Sequence, residues 1–314
     1  MSNPWDWQPD GPCRLEQACG LIRLDGPDAL RVLHGQTSAA IEAAQPGCWI
    51  PTCCITATGR LRALAEVLVD GEGAWLLVGR GDPAAVHQAL DRVLFPADRA
   101  SLRPVQPVRW ITPLGPDGME LPTSPPGHWQ AGANGCGWQL GSSLVLPQGE
   151  PLPPWLAERP QLAPPAAERW RLQQGLPAVP AELNDDHNPF ELGLAARVNL
   201  SKGCYVGQET LAKLATYGGV KQQLRRWHWP AGAGEHPPEL GGELRSPSLE
   251  GRLGRITSLL TLANGECIGL ALVRRAALDQ AWLQVGEGSG AASIALSQPL
   301  QFVPPPVGAG GGGS

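Results

Sequence analysis

The sequence predicts an α+β protein with an all-β C-terminal part, and three observations carry that prediction. At 314 residues the chain is long enough for two or three domains of roughly 100 to 200 residues each. Its 40 glycines and 33 prolines, set against only 5% aromatic residues, favour short elements joined by many turns. Period-two apolar patterns alternate with isolated helical stripes as far as residue 219, and only strand and turn patterns follow.

Taken in order, residues 20–35 (GLIRLDGPDALRVLHG) read as a short strand, a turn and a helix. Pro27 and Asp28 open the helix, Leu30, Leu33 and His34 recur at helical spacing, and Gly35 stops it. The stretch ALAEVLV, the turn Asp70-Gly71-Glu72-Gly73 and AWLLVG then form a hairpin. Asp82 caps and Pro83 opens a second helix with Val86, Ala89, Leu90, Val93 and Leu94 on one face. Residues 104–167 are Pro-rich connective material around a few strands, including a hairpin at GCGWQLGSSLVL. AAERWRLQQG, 166–175, is a helix ended by a glycine cap. The following loop runs through NDDHNPFELGL into a strand ending at Leu200, and His187 in it reads as part of a turn. QETLAKLA is a short helix with its exit at Tyr217-Gly218-Gly219. Beyond it, LRRWHW (224–229) reads as an edge strand with its tryptophans inward, and LGRITSLLTL and CIGLALV form a hairpin closed by Asn264-Gly265. The expected division is residues 1–219, a β domain at 220–303, and a flexible Gly/Pro tail at 304–314.

The net charge of −5 argues against a surface built throughout for nucleic acid, so no such partner is expected. The N-terminal MSNPWDWQPDGPC lacks the basic and apolar run of a secretory signal, and no stretch approaches the length of a membrane span. A cytoplasmic protein without a membrane partner is the expectation. The eight cysteines are then expected to be reduced, and without a CxxC pair no metal site is expected.

One cysteine stands apart, in Lys202-Gly203-Cys204-Tyr205-Val206-Gly207-Gln208-Glu209 (KGCYVGQE). A strand ending at Leu200 and a helix beginning near Gln208 put Cys204 in the connecting turn, where free N–H groups and a helix dipole collect. Gly203 and Gly207 allow the bend, and a charge at Lys202 favours a thiolate. Two readings remain open from the residues alone: a structural turn with a buried thiol, or a reactive cysteine.

KGCYVGQE resembles the signature of the YgfZ family of folate-binding proteins, relatives of the glycine-cleavage aminomethyltransferase. The resemblance extends in order through GPDALRVLHGQTS, TATGRLRALAEVLV, RLQQGLP, NPFELGL, KGCYVGQE and GLALVRR. It implies two ferredoxin-like α/β parts around a central folate channel, a C-terminal antiparallel β-barrel, and tetrahydrofolate or another reduced folate as cofactor. It further implies support of iron-sulfur cluster assembly or maintenance, with iron-sulfur client enzymes or assembly proteins as partners. On this reading Cys204 is the functional thiol and Lys202 its catalytic companion, while Gly203, Tyr205, Gly207, Gln208 and Glu209 shape the folate site. Glu191 in NPFELGL is the candidate for the pterin edge, and Lys213, then Lys221 and Arg60, for the folate's anionic tail. The pattern departs where the aminomethyltransferases carry an acting aspartate, since Ala63 and Leu64 stand there, and Lys213 replaces an arginine found in many members. No glycine-cleavage activity is therefore expected. The alternatives are an aminomethyltransferase-like one-carbon transferase and a non-catalytic client-binding scaffold.

Overall fold

A computed structural model describes residues 3–116, 121–132, 135–216, 219–233, 236–286 and 291–306. Tyr217 and Gly218 of the expected helix exit, and most of the expected tail, lie outside these residues. The chain divides into two compact units. One holds Gln8–Ala163 and Arg197–Thr210; the other holds the chain up to Trp7, Pro164–Ala196 and the chain from Leu211 onward.

The first unit is built on an antiparallel sheet of β1 (Cys13–Asp25), β2 (Trp49–Ile55), β3 (Leu61–Val69), β4 (Gly73–Arg80), β5 (Ser101–Leu102), β6 (Gln106–Leu114), β7 (Trp129–Ala131), β8 (Trp138–Leu140) and β9 (Ser143–Pro147). Their order is β2-β3-β4-β1-β6-β9-β8-β7, with β5 beside one end of β1. The predicted hairpins appear as β3–β4 and β8–β9. The Pro-rich middle is more than connective: it supplies β6, which pairs with β1 from Cys13↔Leu114 to Leu21↔Gln106. Pro107 and Pro113 sit near the two ends of β6, where a missing N–H interrupts the ladder least.

The sheet curls until its last strand meets the start of its first. Trp49 N–H donates to Gly127 O at 2.8 Å, Trp129 N–H to Gly47 O at 2.9 Å, and Trp129 Nε1 to Val69 O at 2.8 Å. Inside the curl, Leu21, Leu68, Leu77 and Val145 pack with Trp49, Trp75, Trp110, Trp129 and Trp138. The rings of Trp75 and Trp138, from strands that are not neighbours in the sheet, meet edge-on at 5.2 Å. Period-two alternation sends Ile22, Leu24, Val67, Leu76 and Val78 to the other face. There they meet α1 (Ala29–Gln36) and α2 (Pro83–Asp91). Asp82 caps α2 as predicted, accepting from Ala84 N–H at 2.9 Å. Asp28, expected to open α1, directs its carboxylate to the backbone N–H and guanidinium of Arg99 instead.

A short α3 (Pro154–Ala157) precedes the second unit, which opens its main segment with α4 (Pro164–Gln174). Gly175 ends α4 at φ +73°, and Leu176 N–H donates back to Arg171 O at 3.1 Å, the glycine cap the sequence predicts. Six antiparallel strands, β10 (Gln222–Trp229), β11 (Glu243–Ser246), β12 (Leu249–Thr261), β13 (Cys267–Arg274), β14 (Trp282–Val285) and β15 (Ala292–Ser297), close into a barrel ordered β10-β13-β12-β11-β14-β15. The Asn264-Gly265 hairpin joins β12 to β13, with Gly265 at φ +82°. Trp227 and Trp229 point inward as expected, but β10 is not an edge strand. It pairs with both β13 and β15, because barrel closure leaves no edge.

The strand expected to end at Leu200 is also absent. Ala195–Arg197 form a 3₁₀ turn, and the following backbone bonds a loop rather than a ladder: Asn199 N–H donates to Ser38 O at 2.8 Å. A fifth helix, α5 (Gln208–Thr216), begins in the first unit and continues into the second. No helix among the described residues is long and apolar enough to cross a membrane.

Candidate functional site

The last carbonyls of a helix have no partner within it, and at the end of α1 the KGCY segment supplies the donors. Lys202 Nζ donates to the carbonyls of His34, Thr37 and Ala39, the latter two at 2.7 Å. Val206 N–H takes the Gly35 carbonyl at 2.9 Å. His34 returns the contact: Nδ1 accepts from the N–H groups of Ile41 and Glu42 at 3.2 and 3.1 Å, which leaves the ring hydrogen on Nε2, donating to Lys202 O at 2.7 Å. All three protons of the ammonium are thereby engaged. It also lies 4.5 Å from the centre of the Tyr205 ring. Among the described residues no carboxylate pairs with it, and burial lowers the Lys202 pKa from 10.5 to about 7, with Glu42 acting the other way.

The glycines of the motif have distinct duties. Gly203 adopts φ +97° in open space, so it is needed for its backbone alone. Gly207, at φ +75°, also lies against the β2–β3 turn, and a Cβ there would come 2.5 Å from Thr56 O. Tyr205 is buried, its pKa pushed up to about 12 by burial, and its hydroxyl has no hydrogen-bond partner among the described residues. Gln208 Nε2 reaches back to Leu200 O at 3.2 Å. Anchored on both sides, Cys204 is exposed, and of the eight cysteines it alone is so presented.

The remaining sequence candidates divide between the units. Glu209 is exposed in the first turn of α5. Lys213, exposed in its last turn, and Glu191 belong to the second unit. Glu191 is buried, and its Oε2 accepts from Asn188 N–H at 2.9 Å, so this carboxylate caps its own loop. Ala63 and Leu64 are buried in β3, and no acidic side chain takes their place at those positions.

Sequence reasoning missed the partners that fix the motif. His34 carried a weak signal in its place beside Gly35, which was expected to stop α1 although the helix runs on to Gln36, and the carbonyls that Lys202 takes leave no signal in a linear pattern. Nor did it find Arg197, which donates to Glu66 at 2.9 Å and to Ala65 O at 3.2 Å just ahead of the motif.

A curled antiparallel sheet and a closed six-stranded barrel within one chain define the class: a mixed α/β protein, mostly sheet, with the aminomethyltransferase fold. The crystal structure of the glycine cleavage system aminomethyltransferase T from Bartonella henselae matches it with a TM-score of 0.73, covering 94% of this chain and 87% of that one at 16% identity. No family model matches the chain. Among curated proteins, a putative chloroplastic transferase of Arabidopsis thaliana is 28% identical over 82% of the chain. The chain spans 64% of that relative's length. The tRNA-modifying protein YgfZ of Yersinia enterocolitica is 24% identical over 90% of the chain and 89% of its own length, and that of Sodalis glossinidius 31% identical over 33% of the chain. The chain is thus similar in sequence to YgfZ proteins and shares the fold of the aminomethyltransferase, in line with the resemblance of KGCYVGQE.

Proposed function

We propose that the chain is a reduced-folate-binding accessory protein for iron-sulfur enzymes, acting through the Cys204 thiol. The observation that carries this reading is the way Cys204 is presented. An exposed thiol sits in a turn whose flanking residues, Lys202, Tyr205 and Gly207, are each fixed by buried contacts. A turn that served only to cap α1 would not need a cysteine at its exposed position. The YgfZ-like relatives and the fold support folate as the ligand. The buried Ala63 and Leu64 leave no carboxylate where the transferases have theirs, which speaks against glycine cleavage.

Two measurements test the reading. A reduced folate raises the melting temperature of the purified protein, corresponding to about 2.7 kcal/mol at a hundredfold excess over the dissociation constant. Glu191→Ala lessens that shift if its carboxylate holds the pterin edge, and an unchanged affinity removes Glu191 from the site. The absence of any shift with reduced folates at millimolar concentration sinks the folate assignment. In a cell lacking the protein, Cys204→Ala folds and binds folate but fails to restore iron-sulfur enzyme activity. Full complementation by that variant removes the thiol from the function.

A further inference from the structure

The second unit carries a basic cleft far in sequence from the KGCY motif, and its chemistry is not that of a thiol site. It has a volume of about 510 Å³, within the roughly 300–1,000 Å³ range of small-molecule sites, and lies between the outer face of the barrel and the loop around residues 180–187. Strand register explains its character. Arg255 on β12 stands opposite Leu272 on β13, Arg274 follows two residues on, and Gln222 on β10 stands opposite Arg274. Period-two alternation places these side chains on one face, while Ile256, Ala271 and Val273 fill the barrel core.

Three guanidinium groups, those of Arg252, Arg255 and Arg274, line this cleft, against one carboxylate, that of Asp186. The neighbouring Glu243 pairs with Arg245 at 3.1 Å and offsets Arg252 at 3.6 Å, which leaves the other two arginines. Arg255 and Arg274 have no ion pair among the described residues. A concave surface that gathers more cations than anions, in a chain whose net charge is −5, favours an anionic ligand. Guanidinium forks match the geometry of phosphate oxygens, and paired forks bind them bidentately. The cleft also has an apolar wall: Leu240, 68% exposed, together with Pro180 and Leu272, can cover the organic part of a ligand.

We infer that this cleft binds a small organic phosphomonoester, its phosphate held by Arg255 and Arg274 and its apolar part resting on Leu240. The inference does not rest on the proposed folate and thiol functions and stands or falls without them.

The test is calorimetric titration of the whole protein at physiological ionic strength with phenyl phosphate, inorganic phosphate and phenol. Saturable binding of phenyl phosphate is expected, weaker binding of inorganic phosphate at the same site by competition, and none of phenol. Arg255→Gln/Arg274→Gln, two exposed substitutions that leave the melting temperature near that of the parent, weakens phenyl phosphate binding by about tenfold or more. Leu240→Ser lowers affinity for phenyl phosphate and leaves that for inorganic phosphate unchanged. Binding that survives the double substitution, or fails to saturate at millimolar ligand, overturns the proposal. So does binding of a single-stranded RNA oligonucleotide with no response to phenyl phosphate, because that outcome describes a polyanion surface and not a small-molecule site.

Discussion

Lys202 and Arg171 both donate to carbonyls at the C-terminal end of a helix, but only Arg171 also meets carboxylates. Lys202 meets only neutral carbonyls at the end of α1. Arg171, in the last turn of α4, meets charge: Nε and Nη2 donate to Glu168 at 2.8 and 2.6 Å, and Nη1 lies 3.7 Å from the fully buried Glu182. Ser258 ties the set to the barrel, accepting from Arg171 Nη2 at 2.9 Å and donating to Glu182 at 2.8 Å. Carbonyls satisfy the hydrogen bonds of a cation, but carboxylates also offset its loss of water. The lysine can therefore release a proton near neutrality, while the guanidinium ties α4 to the barrel.

The contrast is broken most forcefully at Arg171. Arg171→Met leaves Glu182 buried beside the barrel without its cation and is expected to cost about 3–5 kcal/mol in denaturant unfolding. Adding Glu182→Gln recovers part of that loss, since a neutral amide tolerates burial better than an unpaired carboxylate. If the single variant is nearly as stable as the parent, the pair does not hold α4 to the barrel.

At Lys202 the expected effect is smaller and depends on pH. Lys202→Met strands the carbonyls of His34, Thr37 and Ala39, a loss of about 1–3 kcal/mol. The folded ammonium releases its proton from about pH 7, whereas the unfolded one holds it until about 10.5. Between those values the unfolded chain binds more protons, so the lysine's contribution to stability rises with pH. Subtracting the melting curves of Lys202→Met from those of the parent across this window isolates the effect. A difference that stays flat shows that the carbonyl cradle holds the lysine at an ordinary pKa.

The least effect is expected at the exposed thiol. Cys204→Ala changes the unfolding free energy by no more than about 0.5 kcal/mol, the range of surface substitutions away from special features. A larger loss identifies the thiol as part of the turn's packing.

Local signals were legible in the sequence and long-range ones were not. Asp82 before Pro83, Gly175 after α4, Asn264-Gly265 and the Gln208 start of α5 each act within a few residues, so pattern alone located them. The pairing of β6 with β1, the return of β7 to Gly47, and the closure that removed the expected edge at β10 depend on partners distant in sequence. The same division holds at the candidate site. The turn around Cys204 was legible because glycine and lysine declare it, but the strand expected ahead of it was not there: that backbone answers to Ser38. The arginines of the barrel cleft escaped notice because LGRI and LVRR become neighbours only through the β12–β13 register.

The division of the chain between the units also bears on the order in which the protein can assemble as it is made. Residues 8–163 emerge before 164–196, which belong to the other unit, and only afterwards does 197–210 arrive to complete the first. Until Lys202 and Val206 leave the ribosome, the carbonyls at the end of α1 lack their donors and the β2–β3 turn lacks Gly207. The nascent sheet can form its hairpins early, because these are local, but the surface that receives the motif stays wet and unfastened through the synthesis of a whole intervening segment. The exposed cysteine is thus delivered together with the last piece of its unit, and a ribosome-bound chain stalled before residue 202 would hold a folded sheet whose α1 is not yet latched.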